Sequence, residues 1–503
     1  MSKNHIIAFD AGGTSVKAAV YDENGRECAV AGKTMAPLRP APGHMERDPR
    51  AMWEAVCEVA RRALMESGVA PSSIAAVGLT GYGNGLYLVD AAGAPVRNGV
   101  LSPDLRAQEI VARWRADGTE ARVTPATFQH LWPGKPGPLI AWLAAEEPAS
   151  LERAARAMMC KDYLRFRLTG ALANEVSELS SGGLVDQRRR RFSPAVMEAL
   201  GLKRYVRLFG EAIEPLTVAG AVSDVAARDT GLLAGTPVSA GYADGPAMAI
   251  ALGAIDESLV SVVSGTWGLN QLATRTPVTD GSVHNPIVGP RPGEFVLTNA
   301  GPNSASAFEW FANSVLGPAA AGGRDRQRLI DLCNELVARV ELDRDHPYFL
   351  PYLNGQIDLP QARGCFIGLA SWHGLAEMVA ALYEGVAFEH RDELDRLLAG
   401  RTRPRAARFA GGAARSRPWL KIFAAALELP LELAATEELG ALGAAIVAAV
   451  AVELHPDLET AVAAMTRVRE RVEPDPALIA ALAPRRKVFK ALCDDFSARW
   501  SSL

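Results

Sequence analysis

Four short segments combine residue types and spacings that could do chemistry. The first is Asp10-Ala11-Gly12-Gly13-Thr14-Ser15-Val16-Lys17. Adjacent glycines let a backbone approach an anion closely, so that N–H groups can point at the oxygens of a polyphosphate. An aspartate ending a strand can hold magnesium through water, and a lysine or hydroxyls can meet phosphates. The segment is neither a Walker A loop nor GxGxxG, and a hairpin that needs glycine only to turn would look the same. Ser264-Gly265-Thr266 repeats the logic in shorter form, and reads equally well as a plain β-turn. Gly411-Gly412-Ala413-Ala414-Arg415-Ser416 stands between a strand-like and a helix-like stretch; such a turn can lie flat against a nucleotide or simply join the two. The fourth is Gly241-Tyr242-Ala243-Asp244-Gly245-Pro246. Asp244 there is either the N-cap of the apolar helix that follows or a general base drawing the proton from an attacking hydroxyl. The two roles are compatible, because a helix start is a fixed, electropositive place to hold a carboxylate.

These segments need elements to position them. Residues 6–9 are apolar, the Gly-rich turn interrupts, residues 17–21 resume, and Asn24-Gly25 predicts a hairpin before 28–31. Asp48-Pro49 followed by Met52, Trp53, Val56, Val59, Ala60 and Ala63 predicts an amphipathic helix with aspartate as cap and proline in the first turn. Residues 74–80 form a further apolar strand ending in Gly81-Tyr82-Gly83-Asn84-Gly85. Past the middle, 259–263, Ser264-Gly265-Thr266 and 269–273 repeat the opening pattern about 250 residues on. That faint repeat suggests a duplicated fold with mixed α/β layers and a boundary near Gly253, dividing the chain into 1–253 and 254–503. Residues 286–292 and 317–323 read as exposed loops.

Composition narrows the function classes. At 503 residues the chain exceeds what one core serves, and a net charge of −4 argues against nucleic-acid or anionic-membrane partners. The one basic run, Arg188 to Arg191, reads as a solvated hairpin. Six cysteines without a CxxC pair suit a reducing compartment, and the histidines have no metal-ligand spacing. The N-terminus carries no signal-like segment, and the apolar stretch 439–452 is too short to span a bilayer, so it reads as a buried helix. A cytoplasmic protein is expected.

In order and spacing the motifs resemble the FGGY carbohydrate kinases, from about residue 5 to about residue 450. DAGGTSVK at 10–17 is similar to that family's first phosphate loop and VSGTWG at 263–268 to its second. GHMERDP at 43–49, NGVLSPDLRA at 98–107, KDYLRFRLTG at 161–170 and GYADGPAMAIALGA at 241–254 resemble its acidic loop, sugar-binding strand end, Lys-Asp-Tyr-Leu helix and base segment. FAGGAARSRPWLKIFA at 409–424 with EELGALGAA at 437–445 resembles the adenosine motif and a helix packed under the nucleotide.

The resemblance implies two actin-like (ribonuclease H-like) α/β domains with a nucleotide and sugar cleft between them. It implies ATP and Mg2+ as cofactors, a small sugar as substrate, and is compatible with a homodimer. Carried over by residue, Asp244 would be the base, and Asp10, through water, and Asp244 would attend the metal. Gly12, Gly13, Thr14, Ser15, Lys17, Gly265 and Thr266 would surround the phosphates. Gly411, Gly412, Ala413 and Ser416 would surround the adenosine, and Asn84, Asp104 and Asp244 would contact the sugar. Two departures bear on the substrate. Gly13 stands where many members have threonine, and Asn84 stands where D-xylulose kinases tend to have Met-His and glycerol kinases Arg-Glu. GNGLYLVD at 83–90, LSPDLRA at 101–107 and LWPGKP at 131–136 are most similar to the L-xylulose kinase branch, with erythritol kinases next. The expected reaction is transfer of the ATP γ-phosphate to a primary hydroxyl of a pentulose. The alternatives are an erythritol or other polyol kinase and, from another class, a non-catalytic ATP-binding sugar sensor or actin-like assembly module.

Overall fold

The computed structural model describes residues 3–316, 326–342, 344–357 and 359–500. Its chain forms two compact units. One comprises Met1–Ile255, Ala273–Leu297 and Glu438–Thr466, the other Asp256–Leu272, Thr298–Glu437 and Arg467–Leu503. The chain first leaves the first unit after Ile255 and returns to it twice. The loop expected at 286–292 contains the short strand Ile287–Val288, and residues 317–323 lie outside those described.

The first unit is built on a six-stranded sheet in the order Val218–Ala221, Pro237–Ser239, Ile74–Gly81, His5–Ala11, Ser15–Asp22, Glu27–Thr34. The Asn24-Gly25 hairpin forms as expected, with Gly25 at φ 73°. His5–Ala11 runs parallel to Ile74–Gly81, which in turn is parallel to Pro237–Ser239. Their three carboxyl ends therefore share one edge of the sheet, the edge where open α/β sheets place their ligands. The turns bearing Gly12, Asn84 and Asp244 all leave from it.

Both faces of this sheet are covered, which is why residues 6–9 are continuously apolar and buried. The helix Pro49–Ser67, capped by Asp48 with proline in its first turn, packs Met52, Trp53 and Val56 with Ile7, Phe9 and Val20. The predicted buried helix forms as Leu439–Ala451 and packs against His5–Ala11, Ile74–Gly81 and the helix Asp244–Ala251. The helix thus belongs to the first unit. Its small residues are the physical reason. A Cβ on Gly443 would overlap the Ala247 carbonyl, one on Gly440 would overlap the Asp10 carboxylate, and Gly78 of the sheet has no room for one against Ala444.

The second unit repeats the plan. Its sheet runs, in order, Val468–Val472, Leu431–Ala434, Ala406–Gly411, Leu259–Ser264 and Gly268–Thr274. Leu259–Ser264 is antiparallel to Gly268–Thr274 and parallel to Ala406–Gly411, as His5–Ala11 is to Ser15–Asp22 and Ile74–Gly81. Even the register agrees, because Ser264 pairs with Gly411 where Ala11 pairs with Gly81. The faint sequence repeat is a structural duplication. Its second core gathers Val260, Val262, Tyr383, Phe409, Trp419 and Phe423.

Among the described residues no helix is long and apolar enough to cross a membrane. The arginine run is the turn of the hairpin Val185–Asp186 and Arg191–Phe192. Arg188, Arg189 and Arg191 are exposed, as a solvated hairpin requires, while the half-buried Arg190 pairs with Glu214.

The close approach of Gly443 to Ala247 yields a stability test. Gly443→Ala must push the helix carrying Asp244 aside, and should cost about 1–3 kcal/mol in thermal or urea unfolding. Gly210→Ala, whose added carbon meets no heavy atom within 4 Å, should leave the midpoint unchanged.

Candidate active site

Asp10 and Asp244 both lie in the first unit, each partly exposed. Burial pushes the Asp10 carboxyl up to about 7, and the Asp244 charge raises it further, against the pull of Lys17. Asp244 is pushed up to about 6, again chiefly by burial and in opposition to the Gly245 and Gly83 N–H groups. Gly245 N–H donates to Asp244 Oδ1 at 2.6 Å. The expected cap role is corrected: Ala243 holds the N-cap position and Asp244 is the first helical residue.

The turn before Asp244 is tied down from several sides. Lys161 Nζ and Arg165 donate to Ala240 O at 3.1 and 3.0 Å, and Thr80 Oγ1 donates to Tyr242 O at 2.8 Å. Ala243 N–H donates to Ser177 Oγ at 3.0 Å, while Ser177 itself donates to Glu175 Oε2 at 2.5 Å. Asp162 takes both Lys161 and Arg165, at 2.8 and 2.7 Å. The Lys-Asp-Tyr-Leu segment is thus part of a buried ion cluster that holds the turn before Asp244.

Gly83 fits between Ser181 and Asp244; a Cβ there would lie 3.1 Å from Ser181 Oγ and 3.8 Å from Asp244 Oδ1. Asn84 follows in the left-handed region at φ 63°, and its buried Oδ1 has no partner. Asn285 donates to Ser181 Oγ at 3.4 Å, leaving its own Oδ1 unpartnered. Glu178, one turn before Ser181, buries both carboxyl oxygens without a partner, and burial holds it well above the usual carboxylate range. Buried polar atoms without partners are rare in native folds and commonly mark a ligand. Sequence reasoning missed Ser177, Glu178 and Asn285, because no local motif announces them.

The first glycine turn is open, with Gly12, Gly13 and Ser15 half-buried and Thr14 exposed. Arg47, another residue missed, donates to Gly13 O at 2.6 Å. Lys17 is engaged with both oxygens of Glu438, at 2.9 and 2.7 Å. Asp104 calls for a correction. It is fully buried, and its carboxylate accepts from Met45 N–H, Arg106 N–H and the Arg106 guanidinium, at 2.6 to 2.9 Å. With its lone pairs taken, it orients Arg106 and has none to offer a sugar hydroxyl.

In the second unit the other two turns lie side by side. Gly411, at φ 100°, has no room for a Cβ against the Ser264 carbonyl, so only glycine lets the turns abut. Gly265 is half-buried and Thr266 exposed. Gly412 and Ser416 line a small cavity with Ala305, Phe308, Tyr383 and Trp419. Tyr383 stacks on Trp419 at 4.3 Å and an interplanar angle of 7°. Ser416 caps the helix Arg417–Leu427 and donates to Asn334 Oδ1 at 2.5 Å, while the Ala413 side chain is buried in the core. These two therefore shape the turn from behind.

Comparison with known proteins matches the chain to the FGGY family of carbohydrate kinases, N-terminal domain, over residues 5–251, and to that family's C-terminal domain over 260–452. The chain is 34% identical over 457 residues, 90% of each chain, to "L-xylulose/3-keto-L-gulonate kinase" of Escherichia coli K12. It is 31% identical over 494 residues to "Probable L-xylulose kinase" of Pasteurella multocida, covering 97% of this chain and 98% of the relative. A solved xylulose kinase from Rhodospirillum rubrum superposes with a TM-score of 0.87 at 27% identity, covering 99% of this chain and 100% of that one. The two repeated units have the actin-like α/β fold of sugar kinases. The protein belongs to the FGGY family of carbohydrate kinases and is an enzyme of that class.

Proposed function

We propose that the protein transfers the γ-phosphate of ATP to a primary hydroxyl of a pentulose of the L-xylulose type, with Asp244 as general base. The observation that carries this reading is the Asp244 carboxylate, pushed up to about 6, set beside Gly83 among the unpartnered oxygens of Asn84, Asn285 and Glu178. A carboxylate with that proton affinity is ionised at neutral pH, yet is a stronger base than an ordinary aspartate. Phosphoryl transfer needs alignment and charge neutralisation more than covalent help, and one positioned base suits it.

A polyol offers hydroxyl donors to the Asn84 and Asn285 oxygens. Glu178, whose burial holds its carboxyl well above the usual carboxylate range, adds two further unpartnered oxygens to the same neighbourhood. The two relatives named for L-xylulose match this chain nearly end to end, which supports that acceptor. Gly12, Gly13, Thr14, Ser15 and Lys17 are assigned to phosphate in the first unit. Gly265 and Thr266 are assigned to phosphate in the second, and the turn at Gly411 and Gly412 to the adenosine.

Two raised carboxylates are short of positive charge, and this fits a magnesium ion near Asp10 and Asp244. Among the described residues no group of three or more potential ligands stands ready for a metal, which agrees with an ion held mainly through phosphate and water. When bound, the ion would neutralise phosphate charge.

Assay of ADP release with MgATP against L-xylulose, D-xylulose, L-ribulose, 3-keto-L-gulonate and erythritol tests the reading. L-Xylulose should give the highest kcat/KM; a clear preference for erythritol would move the assignment to polyols, and no sugar-dependent turnover would refute it. Asp244→Asn should lower kcat by about 10²- to 10⁴-fold while calorimetric ATP affinity stays within a few-fold.

The same carboxylate predicts two pH effects. Because the base must be ionised, kcat/KM should fall below about pH 6 with a slope of one. For stability the sign is opposite to that of a salt-bridged aspartate. The folded pKa lies above the ordinary 3.8, so stability is lost as pH rises from about 4 through about 6. Asp244→Asn should therefore stabilise the protein at pH 7, by up to ~3 kcal/mol, and change little near pH 4. Thermal melts at both pH values check this.

A further inference from the structure

The hairpin between Leu259–Ser264 and Gly268–Thr274 is anchored from below by a buried chain of side chains that the phosphate-binding reading leaves unused. His390, on the helix Leu375–Leu397, places Nδ1 2.9 Å from Asn270 Oδ1 and Nε2 2.8 Å from Ser304 Oγ. Ser304 Oγ in turn lies 2.8 Å from Ser264 Oγ. All four side chains are buried.

The directions of these bonds follow from chemistry. The Asn270 carbonyl oxygen can only accept, so His390 Nδ1 carries the ring proton. Nε2 then accepts from the Ser304 hydroxyl, and Ser304 Oγ accepts from Ser264. Burial holds the imidazole down to about 4, so it stays neutral with this one tautomer.

One ring thereby ties both legs of the hairpin, Ser264 on the incoming strand and Asn270 on the outgoing one. Gly268 closes the arrangement, since a Cβ there would lie 3.0 Å from His390 Cε1 and Nε2. The backbone of the turn is held as well: Ala305 N–H, next to Ser304, donates to Gly265 O at 2.8 Å. Ser264 spends its proton inward, which leaves the N–H groups and the exposed Thr266 as what the turn can present to an anion.

The same helix carries Tyr383, which lines the cavity beside Gly412 and Ser416. Tyr383 and His390 are seven residues apart, two helical turns on one face and about 10 Å along the axis. That is of the order of the span from a nucleotide's base to its outer phosphates. A single rigid helix therefore sets the spacing between the base pocket and the phosphate turn.

We infer that His390 is a positioning residue for nucleotide phosphate: through Ser304 and Asn270 it fixes the Ser264-Gly265-Thr266 turn in the shape that receives the phosphates. This rests on the assignment of that turn to phosphate under the proposed function. A residue that merely filled the core would affect every ligand of the unit alike, whereas this one discriminates by phosphate.

The test compares adenosine, ADP and ATP binding by calorimetry, together with KM for ATP and for the sugar, in the full-length protein. His390→Phe keeps the ring volume and removes both hydrogen bonds; His390→Gln restores a donor and an acceptor. We expect His390→Phe to weaken ADP and ATP about 10-fold, the scale of one lost buried hydrogen bond, with adenosine affinity and sugar KM unchanged. His390→Gln should recover most of the loss. Ser304→Ala gives an independent break in the chain should the phenylalanine variant fail to fold, with the same split expected. Equal weakening of adenosine and ADP, or unchanged ADP affinity in both folded variants, would overturn the inference alone. If the unmodified protein bound adenosine as tightly as ADP, the phosphate assignment of the turn would fall, and the inference with it.

Discussion

Taking carboxylates out of water is the constraint on which the first unit depends. Burial raises the proton affinity of both Asp10 and Asp244, and Asp10 also feels the like charges of Asp244 and Glu438. A fold does not keep such groups without cause, because replacing them by neutral residues would stabilise it. Both stand at the carboxyl edge of the parallel strands, where negative charge is concentrated.

Much of the surrounding structure serves to hold these groups still. The buried cluster of Lys161, Asp162, Arg165 and Glu175 is neutral in sum and fully enclosed, and it grips the Ala240 carbonyl and, through Ser177, the Ala243 N–H. Both contacts lie within a few residues of Asp244. From the other side, the helix Leu439–Ala451 reaches the sheet closely enough for Gly440 to touch Asp10 and Gly443 to touch the helix Asp244–Ala251. The positive end of that helix meets the Asp10 carboxylate, a placement that favours its charge.

The second unit solves a similar problem with neutral groups. Its two turns emerge from adjacent parallel strands paired through Ser264 and Gly411, so their separation is set by backbone hydrogen bonds. Aromatic packing of Tyr383 on Trp419 stiffens the cavity wall, and the Asn270–His390–Ser304–Ser264 chain stiffens the turn. Duplication of one strand order thus supports two different chemistries, carboxylate in one copy and amide and hydroxyl in the other.

Local signals were legible in the sequence. The alternation of apolar strands and glycine turns, the Asp48-Pro49 helix start, the Asn24-Gly25 hairpin and the strand-turn-strand repeat all depend on neighbours within a few residues, and all formed as read. Motif order carried the family. Long-range outcomes were not legible. That Arg106 and Met45 occupy Asp104, that Ala243 rather than Asp244 caps the helix, and that 439–451 packs in the first unit each depend on which surfaces meet. Glu178, on the helix Val176–Ser181, and Asn285, in the loop before Ile287, come near Asp244 and Ser181 for the same reason. The sequence by itself determined where the chain turns and which side chains are able to do chemistry, because those follow from local backbone preference and residue type. Only the tertiary structure decided which of them are buried and left without partners, because desolvation and hydrogen-bond satisfaction are properties of the packed neighbourhood.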